Sequence, residues 1–194
     1  IGCTTSHLKA IKHWYETSDS PYAIIVEDDL DLQLVRFWNF TWSDFAAKLP
    51  YDWDVVQLAI ICTGNLHVQL HKRFVNDFST AAYMITRHHA EKLLKHHVRD
   101  DKYKLDNGVK PRPVADDLIY NSGNTFSIPL FLYKIALGSS IHPEHIDVFH
   151  RGSHDGLLNF WQQQGHDLTI DALTNYDPYL GRITNPTPKE EPKE

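Results

Sequence analysis

Four carboxylates fall within a five-residue window: Glu27, Asp28, Asp29 and Asp31. They follow directly on Tyr22 to Val26 (YAIIV), a short apolar run rich in β-branched residues. That run predicts a buried, central, parallel strand. In open α/β sheets, ligands sit outside the carboxyl ends of the strands. Carboxylates crowded there repel one another and favour a cation. Mg²⁺ and Mn²⁺ take oxygen ligands and bridge carboxylates to substrate phosphates. The chemistry implied is a divalent-ion site for a phosphorylated ligand. The plainer alternative is a solvated acidic loop.

A second acidic pair, Asp116 and Asp117, follows Pro113 on a short helix or turn. One of them could take a proton from an attacking hydroxyl. Acidic residues are also favourable at a helix start without any such role. Thirteen histidines are present. His88, His89, His96 and His97 lack the spacing of a tight chelate and read as surface. His67 and His71 stand four apart in a region without other helix signals. His142, His145, His150 and His154 crowd into one stretch and could bind zinc together, but no cysteine lies near them. Ser6 and His7 do not read as a nucleophilic pair, because no glycine-flanked strand-to-helix elbow surrounds the serine. The five tryptophans read mainly as core, with one able to stack on a sugar face. Asn39-Phe40-Thr41 matches a glycosylation sequon by chance.

The elements that must position these residues alternate between helix and strand, which predicts an α/β layered domain. Helices are expected at Thr4 to Glu16, capped by Thr4 or Thr5, and at Phe37 to Leu49 and Arg87 to Val98. A short helix or turn is expected at Ala115 to Asn121, and a final helix at Leu157 to Gln164. Strands are expected at Tyr22 to Val26, Trp53 to Ile61 and Ala81 to Ile85, with a short edge strand at Phe74 to Asp77. Phe126 to Ile135 is interrupted by Pro129 and reads as an edge strand or loop. Asn107-Gly108 is a turn signal.

Composition sets the outer limits. Hydrophobic residues are 42% and charged residues 23%, which excludes wholesale disorder. No apolar run reaches the roughly 18 residues of a membrane helix, so no membrane span is expected. The net charge of −6 argues against nucleic acid as a partner. Two cysteines, Cys3 and Cys62, exclude a disulfide scaffold and a cysteine zinc site, leave a single bridge open, and suggest a reducing, cytoplasmic setting. The start at Ile1 reads as a segment of a longer protein. Residues 184–194 (TNPTPKEEPKE) read as a linker or tail, which suggests further domains in the parent protein.

Five segments, in order, resemble glycosyltransferase family 25, the group of lipooligosaccharide and collagen galactosyltransferases. Gly2-Cys3-Thr4-Thr5-Ser6-His7, with Trp14 beyond it, is similar to that family's G-C-x-x-S-H helix. YAIIVEDDL, at Tyr22 to Leu30, is similar to its strand ending in E-D-D. Trp53 to Leu58, Ser79 to Leu94 and Pro113 to Leu118 complete the series. The resemblance spans residues 2 to about 120.

It implies a GT-A-like, Rossmann-type three-layer sandwich over residues 1–183 with a mostly parallel sheet, lacking the family's first βαβ unit. It also implies a UDP-sugar donor, UDP-galactose or UDP-glucose, a glycan or hydroxylated-protein acceptor, and Mn²⁺ or Mg²⁺. Asp29, with Glu27 or Asp31, would be the metal ligand, because both Glu27-x-Asp29 and Asp29-x-Asp31 fit a D-x-D pattern. His150 would add a late histidine, with His154 second. Glu27, Asp28, Ser6 and His7 would face the donor, although Ser6 could equally serve as a cap. Asp116 or Asp117 would be the base of an inverting transfer. The rival readings are a non-catalytic binding or assembly domain of the same fold and a metal-dependent phosphohydrolase.

Overall fold

Leu8 and Ile11 are fully buried on one side of a 16-residue helix, and that packing brings the N-terminal residues to the sheet. The computed structural model describes residues 2–62, 66–105, 114–135 and 150–175. In chain order these form α1 (Gly2–Thr17), β1 (Tyr22–Val26), β2 (Leu30–Asp31), a 3-10 turn (Gln33–Phe37), α2 (Trp42–Ala47), β3 (Val55–Gln57), β4 (Ile61–Cys62), β5 (His71–Lys72) and β6 (Asp77–Phe78). They continue as β7 (Ala82–Thr86), α3 (Arg87–His97), β8 (Val98–Arg99), β9 (Lys102–Tyr103), α4 (Ala115–Tyr120), β10 (Thr125–Ser127) and β11 (Leu132–Tyr133). The last are α5 (Arg151–Gln164), a 3-10 turn (Gly165–Asp167) and α6 (Ile170–Thr174).

The domain is mixed α/β around a five-stranded sheet in the order β1-β7-β3-β10-β5. The expectation of a mostly parallel sheet is corrected here. Only β3 and β10 pair in parallel, and β1–β7, β7–β3 and β10–β5 are antiparallel. β1 itself is neither central nor parallel: among the described residues it is an edge strand. Ile24 and Val26 are 40% and 51% exposed, so one face of this apolar run is uncovered. β7 is buried on both faces, as are β3 and β10, and is inserted between β1 and β3.

Neighbouring residues on the strands point into two separate cores. Val56, Met84 and Phe126 join Leu34, Phe45, Leu157 and Trp161 on one face. Val55, Tyr83 and Ile85 join Leu8, Ile11, Leu93 and Ile119 on the other. Helices α1, α3 and α4 therefore cover one face, and α2, α5 and α6 the other, giving three layers.

Local chemistry explains where boundaries moved. α1 begins at Gly2, ahead of the threonines expected to cap it, and Thr4 is buried within it. The helix expected over Phe37 to Leu49 is divided. Thr41 starts α2 through a capping box, with its Oγ1 and the Asp44 carboxylate each accepting from the other's backbone N–H. The strand expected over Trp53 to Ile61 pairs in the main sheet only at β3, and Leu58 to Ile60 continue as buried irregular chain. The segment Phe126 to Ile135 is not at an edge: β10 lies inside the sheet. Pro129 falls beyond its end, where a missing N–H costs no ladder bond, and its carbonyl accepts from Trp161 Nε1 at 3.3 Å.

The histidines expected at the surface divide. His89 is fully buried and His97 nearly so, while His88 and His96 are exposed. His97 Nδ1–H donates to the Lys104 carbonyl at 2.8 Å, which makes burial of the ring affordable. His89 packs so close to Gly123 that a Cβ there would meet its ring at 2.6 Å.

Candidate functional site

β1, β3 and β10 run in one direction and β7 in the other. The carboxyl ends of the first three and the start of β7 therefore share one rim, and the acidic residues lie on it. Glu27 is the first residue after β1, and its N–H donates to the Ala81 carbonyl at 2.9 Å. Leu30 N–H donates to the Glu27 carbonyl at 3.3 Å, closing a turn that carries exposed Asp28 at its tip.

Glu27 Oε1 takes two bonds, from His7 Nε2 at 3.0 Å and from Thr80 Oγ1 at 2.7 Å. The bond from His7 holds the Glu27 carboxyl below its usual range, against the opposing effect of burial. His7 itself is 5% exposed. Burial alone would push its imidazolium down, but hydrogen bonds to Cys3 and Glu27, with their charges, outweigh this and push it up to about 9. Its other nitrogen, Nδ1, meets the Tyr83 hydroxyl at 3.1 Å.

Asp29 is the outlier of the cluster. Its Oδ1 is buried and has no hydrogen-bond partner. Burial first, then the charges of Glu27 and Asp28, push its carboxyl above the usual range. Its backbone carbonyl is held by Lys134 N–H at 2.8 Å. Asp31 is committed to its own loop, with Oδ1 accepting from Gln33 N–H at 2.9 Å and Oδ2 from Gln33 Nε2 at 3.0 Å.

Ser79 joins this rim to the second acidic pair. It has φ of 100°, a left-handed conformation that costs a residue with a side chain of order 1–3 kcal/mol. Several bonds hold it there. Its N–H donates to Asp116 Oδ1 at 2.7 Å, and its carbonyl accepts from Gln57 Nε2 at 2.9 Å and Tyr120 Oη at 2.8 Å. Gln57 is fully buried and is fixed in turn by Ser127 Oγ at 2.9 Å. Burial pushes the Asp116 carboxyl up, partly offset by the Ser79 N–H and the Arg73 charge. Arg73 lies over the Tyr120 ring at 4.8 Å.

His7, Glu27 and Asp116 are thus brought together through Ser79 and Thr80, with Asp29 beside them. Asp117 turns elsewhere, accepting from Asn121 Nδ2 at 3.0 Å. Ser6 is exposed and donates to the Gly2 carbonyl at 3.1 Å, so it does not cap α1. His150 packs its ring edge-on to Tyr133 at 5.7 Å, and Tyr133 pairs with Leu30. His154 Nδ1 meets Asp155 at 2.8 Å. His142, His145 and the Asn107-Gly108 turn lie outside the described residues.

Sequence reasoning passed over Gln57, Ser79, Thr80 and Tyr83. No local motif marks a glutamine that braces a strained turn across the sheet. Among the described residues, one group of three metal-capable side chains has its ligand atoms within 4.8 Å of one another: Cys3, His7 and Glu27. The expectation that two cysteines exclude a cysteine zinc site did not weigh a mixed set, and the Cys3-x-x-x-His7 spacing on one helix face was passed over.

No helix among the described residues is long and apolar enough to cross a membrane. Comparison with known proteins finds no matching family model, no matching curated protein and no matching solved structure.

Proposed function

We propose that the chain is a metal-dependent inverting glycosyltransferase of GT-A-like organisation, similar to family 25. It moves galactose or glucose from a UDP-sugar to a hydroxyl on a glycan or protein. The observation that carries this reading is the buried, partnerless Oδ1 of Asp29 at the carboxyl end of β1, with anionic neighbours on the same turn. A buried carboxylate oxygen without a partner is costly unless something binds it. A hard divalent cation with oxygen ligands suits it.

Asp29 would hold Mn²⁺ or Mg²⁺. Glu27 could add its Oε2, since both bonds it receives fall on Oε1. His150 and Asp31 are weaker supports, the latter because both its oxygens already accept bonds. The ion would supply charge neutralisation for a leaving diphosphate. Asp116 serves as the base. Its Oδ1 is fixed by Ser79, its Oδ2 takes the proton of the acceptor hydroxyl, and its raised affinity for protons suits that task.

The test is incubation with UDP-galactose and UDP-glucose, Mn²⁺, and a panel of glycan and hydroxylysine acceptors. Expected are acceptor-dependent UDP release, inversion at the transferred sugar, and a loss of about 10²-fold or more in kcat for Asp116→Asn. Release of inorganic phosphate, or no turnover with any acceptor, would overturn the reading.

A further inference from the structure

We propose that Cys3, His7 and Glu27 form a three-ligand site for a thiophilic divalent ion of the zinc type, separate from the hard-ion position at Asp29. Cys3 and His7 stand four residues apart on α1, so their side chains share one helix face. Glu27 arrives from the end of β1, and the three ligand atoms lie within 4.8 Å of one another. A tetrahedral zinc site places sulfur, nitrogen and oxygen ligands about 3.4–3.6 Å apart. His7 Nε2 and Glu27 Oε1 are 3.0 Å apart, so they must part by about 0.4 Å while the thiol closes in. It sits on an exposed residue, free to do so.

The surroundings match those of a metal histidine. His7 Nδ1 lies 3.1 Å from the Tyr83 hydroxyl; with Nδ1–H donating there in the metal-bound tautomer, Nε2 is the ligand atom. Tyr83 is fully buried, so this orienting contact is rigid. Thr80 Oγ1 holds Glu27 Oε1 at 2.7 Å from the opposite side. One thiolate, one imidazole and one carboxylate, with the thiolate side facing solvent, leave a fourth position open, the pattern of zinc sites that bind water or substrate. Mg²⁺ and Mn²⁺ prefer all-oxygen sets, so the thiolate selects against them. On binding, the Sγ proton of Cys3 and the Nε2 proton of His7 pass to solvent.

Cobalt is the probe, because a Co²⁺–thiolate bond gives a near-ultraviolet charge-transfer band. The proposal expects that band with one equivalent of Co²⁺ on the full chain, its retention in Cys62→Ser, and its loss in Cys3→Ser. Zn²⁺ should displace Co²⁺, and Tyr83→Phe should weaken Zn²⁺ by about 10-fold or more. Absence of the band in the unmodified chain, or its persistence in Cys3→Ser, would overturn the proposal. Circular dichroism checks that Cys3→Ser, an exposed change, stays folded. Glu27 is shared with the hard-ion position, through Oε2 there and Oε1 here; Cys3→Ser removes this site alone and Asp29→Asn the other alone, so the two tests fail separately.

Discussion

His71 and Asp77 form a pair at 3.1 Å with side chains 2% and 4% exposed, and His7 and Glu27 form another at 3.0 Å with 5% and 33%. The first pair is closed on every side. His71 Nδ1–H donates to the Gln69 carbonyl at 2.7 Å, Asp77 Oδ2 also accepts from Phe74 N–H at 2.8 Å, and the Phe74 ring stacks on the imidazole at 5.0 Å. Its work is to hold β5 and β6 together. The second pair is of the same chemical type but opens onto a rim. Beside it lie an exposed thiol, a carboxylate with an orphaned buried oxygen, and a strained serine. A polar pair that satisfies itself is architecture. Gln69 Oε1 and Arg73 Nε, near the first pair, also lack partners; what sets the second apart is its exposure and the anionic charge gathered around Asp29.

The largest effect should come from breaking the closed pair. Asp77→Ala leaves His71 Nε2 and Phe74 N–H buried without an acceptor, at about 1–3 kcal/mol each, read as a lower urea midpoint. His7→Gln should cost less, about 1–2 kcal/mol at neutral pH, and its cost should depend on pH. The folded-state pKa of His7 is raised, so its stabilisation is complete below the ordinary histidine value of 6.5 and is lost as pH rises to about 9. The difference between the unmodified chain and His7→Gln in urea titrations should therefore shrink across that window.

The smallest effects discriminate most sharply, because two neighbouring aspartates should respond with opposite signs. Asp29→Asn removes a charge that burial and its neighbours disfavour, and should raise stability by about 0.5–1 kcal/mol. Asp31→Ala removes an acceptor used by Gln33, and should lower it by about 0.5–1.5 kcal/mol. Equal signs in thermal melts would remove the distinction between them.

Much of this framework was legible in the residues. Helical spacing marked α1 and α3, and the apolar runs marked β1 and β7 to within a residue or two; α4 reads in the residues as either a short helix or a turn. The rank of each strand was not legible. YAIIV suits a strand covered on both faces, yet β1 pairs only with β7 among the described residues, and that pairing joins segments nearly sixty residues apart. His97 misled for a related reason: a polar residue type is buried at little cost once a carbonyl meets its N–H, as Lys104 does here. At the site, residue types marked Glu27, Asp28, Asp29 and Asp31 as a group and Asp116 with Asp117 as a pair, without choosing among them. The difference between Asp29 and Asp31 lay in hydrogen bonds that no spacing records.

The central claim is that Asp29 keeps an oxygen for a cation and its phosphorylated ligand. Thermal denaturation with UDP and Mn²⁺, singly and together, on the unmodified chain and on Asp29→Asn, tests it most directly, since a ligand that binds only the folded state must raise its stability. The account predicts a rise in Tm that needs both UDP and Mn²⁺ and is lost in Asp29→Asn. No rise with millimolar UDP and Mn²⁺, or an equal rise in the variant, would contradict it.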